Sequence, residues 1–284
     1  MPGDAHEKPS PFHAGEVALQ RSVGVAERLE QFGRRVIRDY MPDQHRQFYG
    51  QLPFVVLGTV DQEGDAWATL LAGRPGFVTS PDPRRLAFSV PADPADPASS
   101  GLGYGDAVGL LGIELHTRRR NRMNGYVRRV GDGAFSVEVE HAFGNCPQYI
   151  QLRDFTFVSE PGEPGPAAPP QIVAMSDPRV RALIGAADTF FVASYVEDAA
   201  GRHVDASHRG GKPGFVRLND DGSLTIPDFA GNLHFNTLGN FLLNPRGGLV
   251  FPDFETGDLL QLTGDAEVVL DSPELNAFQG AARP

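Results

Sequence analysis

The chain repeats itself, and this restricts its possible folds more than any other feature. The segment Gly73-Arg-Pro-Gly-Phe-Val78 returns in the second half as Gly211-Lys-Pro-Gly-Phe-Val216. Gly109-Leu-Leu-Gly-Ile-Glu-Leu-His-Thr117, followed by Gly125, returns as Gly248-Leu-Val-Phe-Pro-Asp-Phe-Glu-Thr256, followed by Gly264. The two offsets differ by a single position. Two matches at nearly one offset predict two related domains. With 284 residues, each would be long enough to bury its own core. The run Glu160-Pro-Gly-Glu-Pro-Gly-Pro-Ala-Ala-Pro-Pro170 cannot continue a helix or a sheet interior, because proline lacks a donor and fixes its own φ. It reads as a semi-rigid linker. The expected division is an N-terminal extension over 1–44, a first domain over 45–159, a linker over 160–170 and a second domain over 171–284.

The 33 glycines and 24 prolines, at an ordinary 40% hydrophobic content, imply many turns and a β-dominated fold. Strands are expected over 54–60, 86–90, 135–143 and 149–158. In the second half they are expected over 189–196, 214–218, 224–227, 249–251, 259–262 and 266–270. Phe135, Val137 and Val139 alternate with Ser136, Glu138 and Glu140, the period of a strand with one face buried. About six strands per half would make two small barrels. Trp67, in a strand-like stretch, is expected in the core. Val17, Val25, Leu29, Phe32, Val36, Ile37 and Tyr40 recur at helical spacing and predict one amphipathic helix over 16–40. A shorter helix is expected at 177–187, capped by Ser176 or Asp177 with Pro178 in its first turn. Another is expected over 235–243.

Several function classes are disfavoured. The single cysteine, Cys146, permits neither an intrachain disulfide nor a thiolate-rich zinc site. It reads as a buried structural residue rather than a nucleophile. A formal charge of −11 repels phosphate on average, so general nucleic-acid binding is not expected. No apolar run is long enough to cross a bilayer, and the polar start lacks a secretory pattern. The chain therefore reads as soluble and cytoplasmic.

The segments Asp205-Ala-Ser-His-Arg-Gly-Gly-Lys-Pro-Gly-Phe-Val216, Ile226-Pro-Asp-Phe-Ala-Gly-Asn232, Phe235-Asn-Thr-Leu-Gly-Asn240 and Asn244-Pro-Arg-Gly-Gly-Leu-Val-Phe251 resemble the pyridoxamine 5'-phosphate oxidase-related flavoproteins. Met41-Pro-Asp-Gln-His-Arg46, Thr117-Arg-Arg-Arg-Asn-Arg-Met-Asn-Gly125 and Gly144-Asn-Cys-Pro-Gln-Tyr-Ile150 are similar to motifs of the two-domain branch of that group. The resemblance implies a mainly β (α+β) fold of tandem split β-barrels with short helices. It also implies FMN at the seam between barrels. That seam would lie within one chain as a pseudo-dimer, or between chains of a homodimer. The C-terminal substrate-clamping motif of the true oxidases is not matched, so the resemblance is to the wider group.

FMN requires cationic and hydroxyl or amide donors for its phosphate and an apolar slot for its ring. Ser207, His208, Arg209, Gly210, Lys212 and Pro213 form the densest candidate cluster, with Gly210 and Gly211 allowing close backbone approach. Asn232, Asn236, Thr237 and Asn240 flank or open the expected helix at 235–243, whose N-terminus would offer amides to phosphate or simply be capped. Arg246 would reach phosphate or cover a barrel edge. In the cationic run 118–122, strand alternation puts Arg118, Arg120 and Arg122 on one face and Arg119 on the other. Arg119 and Arg120 are included as candidates, against a nucleic-acid contact or a solvated hairpin as the other readings. The leading function is an FMN-dependent oxidoreductase acting on a small redox substrate, with NADH or NADPH a candidate donor. The alternatives are a non-catalytic flavin- or haem-binding protein and a docking domain of a longer reductase.

Overall fold

A computed structural model describes residues 9–90, 93–131, 134–157 and 169–278. Three helices come first: α1 (Ala14–Ser22), α2 (Ala26–Val36) and α3 (Asp43–Gly50). The single helix expected over 16–40 is thus broken. Gly24 sits at φ 71° between α1 and α2, a conformation that costs a glycine little and turns the chain out of the helix. The first half continues with β1 (Phe54–Val60), β2 (Ala66–Ala72), β3 (Val78–Asp82), β4 (Arg85–Phe88), a 3-10 turn at Pro97–Gly101, β5 (Ala107–Glu114), β6 (Arg119–Gly131) and β7 (Ala134–Asn145). These strands form one antiparallel sheet in the order β2-β1-β5-β6-β7-β4-β3.

The second half contains α4 (Pro178–Ala186), β8 (Thr189–Asp198), β9 (Gly201–Gly210), the two-residue strands β10 (Arg217–Leu218) and β11 (Leu224–Thr225), α5 (Asn236–Leu243), β12 (Arg246–Pro252) and β13 (Leu259–Asp265). Asp177 caps α4 by accepting from the Arg179 amide, as expected. The main sheet runs β9-β8-β12-β13. That order repeats the β2-β1-β5-β6 part of the first sheet, in matching register. Gly58 pairs with Gly109 and Ala68, while Ala193 pairs with Gly248 and Ala206.

Several strand expectations need correction. Among the described residues the second sheet has four strands, not about six. The segments 214–218 and 224–227 contribute a two-residue hairpin, and 266–269 form no strand. The stretch 149–157 is also irregular, and residue 158 with most of the Pro/Gly linker lies outside the described residues. Trp67 is half-buried, donating from Nε1 to Asp61 Oδ2 at 2.8 Å, rather than sitting in the core.

Three apolar clusters explain why several strands lacked clear alternation. Val55 and Leu57 point into the core of the first half, with Phe48, Leu86 and Val137. Phe190 and Val192 point into that of the second, with Phe215 and Phe251. Their strand neighbours Val56, Phe191 and Ala193 meet across a seam with Leu111, Ala206 and Val250. Both faces of β1 and β8 are therefore buried, so these strands read as continuous apolar runs. Two repeat-related glycines let the sheets touch. A Cβ on Gly109 would lie 2.5 Å from the Asp205 carbonyl carbon, and one on Gly248 would lie 2.3 Å from the Ala66 carbonyl oxygen.

Candidate functional site

A cleft of about 350 Å³ opens at this seam, within the usual range of small-molecule sites, roughly 300–1,000 Å³. Arg120 and Arg122 reach it from β6, and Ser207, His208, Arg209 and Gly210 from the end of β9. The loop before Tyr149, the loop 227–235 and the first turn of α5 complete the wall. Leu111, Phe215 and Phe229 supply an apolar portion. Four non-glycine residues among those described have positive φ, and three of them, Tyr149, Leu233 and Phe235, line the cleft. Such backbone conformations cost energy and persist where surrounding packing enforces them.

Arg122 is 4% exposed and donates to Asp205 Oδ1 at 3.1 Å and to Ser207 Oγ. Asp205 also accepts from Asn124 Nδ2 at 2.7 Å and Asn240 Nδ2 at 3.0 Å, so this buried ion pair is well supported. Arg120 donates through Nε to the Cys146 carbonyl at 2.8 Å and lies 3.0 Å from His208 Nδ1. Burial first, then Arg120, Arg209 and Arg153, hold the His208 pKa well below its ordinary value. His208 is therefore neutral. Because a guanidinium only donates, Nδ1 accepts and the ring proton sits on Nε2. That Nε2 and the Nε of Arg122 are both buried without a protein partner. Arg209 pairs with Asp228 at 3.2 Å on the rim.

The helix α5 begins at Phe235 in a left-handed conformation with no side-chain cap. The amides of its first turn therefore lack a capping acceptor while lining the cleft. The uncompensated Arg120 charge, the positive end of α5 and the two orphaned donors form an environment suited to an anion. Behind α5 lies α1. A Cβ on Gly15 would come within 2.1 Å of the Gly239 carbonyl, so the helices cross in backbone contact. Glu16 accepts from Asn236 Nδ2 and from the His13 amide. Burial, with the Asp205 charge adding to it, raises the Glu16 pKa to about 8, so at neutral pH it adds little negative charge.

Of the residues expected to hold a cofactor, Ser207, His208, Arg209, Gly210, Asn232, Asn236, Thr237 and Arg120 converge here. The others stand elsewhere. Arg119 faces the opposite side of β6, its guanidinium 4.6 Å from the Phe48 ring centre, as alternation from Arg120 requires. Lys212 and Pro213 are exposed beyond the strand end. Asn240 lies behind the wall, bound to Ser194 and Asp205. Arg246 pairs with Asp65 and Asp265 outside the cleft. Gly210 admits protein rather than ligand, because its Cβ would lie 2.1 Å from the Tyr149 carbonyl. Cys146 lines the cleft, half-buried, with Sγ 3.7 Å from Arg120. The sequence reading placed Arg122 on the face of Arg120 but left it out of the site, and it missed Asp205, Asn124 and Glu16. Charge at a strand position two from Arg120 marked Arg122. The other three acquire their roles only by long-range packing.

The fold and cleft define an antiparallel α+β protein of two main sheets, with a cleft rich in cationic and amide donors where its halves meet. Residues 41–159 match the family model for pyridoxamine 5'-phosphate oxidase. Remote structural likenesses include HupZ of Group A Streptococcus, 13% identical, covering 37% of this chain and 94% of that one at a TM-score of 0.30. The Bacillus subtilis inhibitor of motility, MotI/DgrA, is 10% identical, covering 80% of this chain and 83% of that one at a TM-score of 0.26. No curated protein matches the sequence. Among the described residues no helix is long and apolar enough to cross a membrane.

Proposed function

We propose that the seam cleft binds FMN and that the protein is an FMN-dependent oxidoreductase. The observation carrying this reading is the uncapped N-terminus of α5, facing Ser207, the half-buried Arg120 and the buried Arg122. These residues fit a phosphate: the orphaned Arg122 Nε and His208 Nε2 are donors awaiting an acceptor. The apolar portion near Leu111, Phe215 and Phe229 suits a flat ring. Bound FMN would supply hydride or single-electron chemistry between a small donor, with NADH or NADPH a candidate, and an acceptor. The chain's own part is to hold the phosphate, exclude water from the apolar portion and present cationic donors. Because both halves wall the cleft, an intrachain pseudo-dimer is the favoured arrangement.

The test is the visible spectrum of the purified protein after incubation with FMN, with the released ligand identified by mass. A bound flavin spectrum with the mass of FMN supports the reading. A protein that stays colourless at saturating FMN overturns it. If FMN binds but neither NADH nor NADPH bleaches the flavin band, the oxidoreductase reading with these donors gives way to a flavin-binding role.

A further inference from the structure

The seam has two ends, and the second carries a smaller cleft of about 250 Å³ lined by Leu70, Leu71, Ala72, Val90 and Leu259 together with Asp93 and Asp96. Strand register identifies it as the counterpart of the first cleft. Through the pairings of β1 with β2 and β8 with β9, the positions of Ser207, His208, Arg209 and Gly210 correspond to Thr69, Leu70, Leu71 and Ala72. Through β5 with β6 and β12 with β13, those of Arg120 and Arg122 correspond to Leu259 and Gln261. The 3-10 turn Pro97–Gly101 precedes β5 as α5 precedes β12, and the offset that carries Gly109 onto Gly248 carries Pro97 onto Asn236, the first residue of each. Reciprocal contacts of this kind relate the two halves of a two-fold interface.

The two clefts differ where charge matters. Every cation of the first is replaced by an uncharged residue. The uncapped Phe235 is matched by Asp96, which caps its own turn. One Asp96 oxygen accepts from the Ala98 amide and from Gln261 Nε2, both at 2.9 Å, and the other accepts from Thr69 Oγ1. Translated across the seam, these partners are the Thr237 amide, the Arg122 guanidinium and the Ser207 hydroxyl.

We propose that each chain takes up one anionic ligand rather than two, because in the twin cleft the carboxylate of Asp96 already takes the donors that would hold an anion. It stands where the ligand's anionic group is held in the first cleft, by Ser207, Arg122 and the first-turn amides of α5. The protein's own carboxylate thus maps the anion position. The twin cleft keeps the geometry of an anion site but supplies its own anion, and its remaining wall is apolar apart from a second carboxylate, Asp93, which would repel another anion. This inference rests on the cleft binding an anion, and on FMN only as one such anion.

The experiment is a stoichiometric titration of the full chain with two probes. FMN is followed by quenching of its fluorescence, and inorganic pyrophosphate by calorimetry. One equivalent of each is expected. Ser207→Val should weaken both probes tenfold or more, whereas Thr69→Val and the surface change Leu259→Gln should leave both unchanged. Two equivalents in the unmodified chain, or weakening by the Thr69 or Leu259 change with Ser207→Val silent, overturns the proposal. One equivalent of pyrophosphate, lost in Ser207→Val while FMN fails to bind, rejects the flavin reading and keeps this one. Binding of neither probe rejects both.

Discussion

Burial makes Glu16 hold its proton, and this has a consequence for stability. Its folded pKa, about 8, lies above the ordinary 4.5, so the stability it contributes is complete below pH 4.5 and is lost as pH rises through about 8. His203 acts in the same direction. Its hydrogen bond to Glu140, then the Glu140 and Asp198 charges, raise its pKa from 6.5 to about 9, so its contribution is lost as pH rises through 9. The thermal midpoint should therefore fall between pH 5 and pH 9. Glu16→Gln keeps the shape without the charge, so it should gain on the parent by a few kcal/mol by pH 8. Parallel melting curves across that range would show that Glu16 does not titrate in this window. For ligand binding, Arg120→Gln removes a charge-assisted donor from the cleft and should weaken FMN by about 10- to 100-fold. Equilibrium quenching measures this, and an unchanged affinity would remove Arg120 from the site. At this scale the sequence marked the polar cluster around Ser207–Gly210 and the face shared by Arg120 and Arg122. It could not mark Asp205 or Glu16, whose chemistry comes from groups on α5 and β6, far away along the chain.

Among the elements, α1 is the one whose role sequence periodicity hid. Apolar spacing continues across Gly24, so α1 and α2 read as one helix. The buried face of α1 is Gly15, Glu16, Leu19 and Gln20, half of it polar, which no amphipathic pattern would select. It packs on α5 by backbone contact at Gly15 and Gly239. Gly15→Ala should push the two helices apart at a cost of about 1–3 kcal/mol. The measurement is limited proteolysis within the segment that precedes Met41, expected to accelerate in the variant. Equal cleavage rates would mean that α1 adjusts without leaving α5. In the second half the expected strands at 189–196, 249–251 and 259–262 form as β8, β12 and β13, whereas others failed for a different reason. Short apolar runs such as 214–218 and 266–270 have strand composition, but the second sheet offers them no partner, and a strand exists only where a neighbour completes its hydrogen bonds.

At the scale of the whole molecule, the seam joins the halves through apolar side chains and two backbone-to-glycine contacts. A seam this tightly packed should make them unfold together. Calorimetry should give one transition, and two resolved transitions would mean that each half is stable alone. Gly109→Val would drive a side chain into the β9 backbone and should lower the midpoint by about 5 °C or more, on the order of 3 kcal/mol for a chain of this size. A drop of only a degree or two would show that the sheets can separate there at little cost. By itself the sequence determined that two segments are repeated, that the fold is mainly β, and that one short stretch concentrates hydroxyl, imidazole and cationic groups. These are local properties, written in composition, spacing and self-similarity. Only the tertiary structure decided which face of β6 meets β9, that one seam creates two clefts, and that the Asp96 carboxylate lines one of them. Those outcomes depend on the register of strands distant in sequence, and a slip by a single position would turn every side chain to the opposite face.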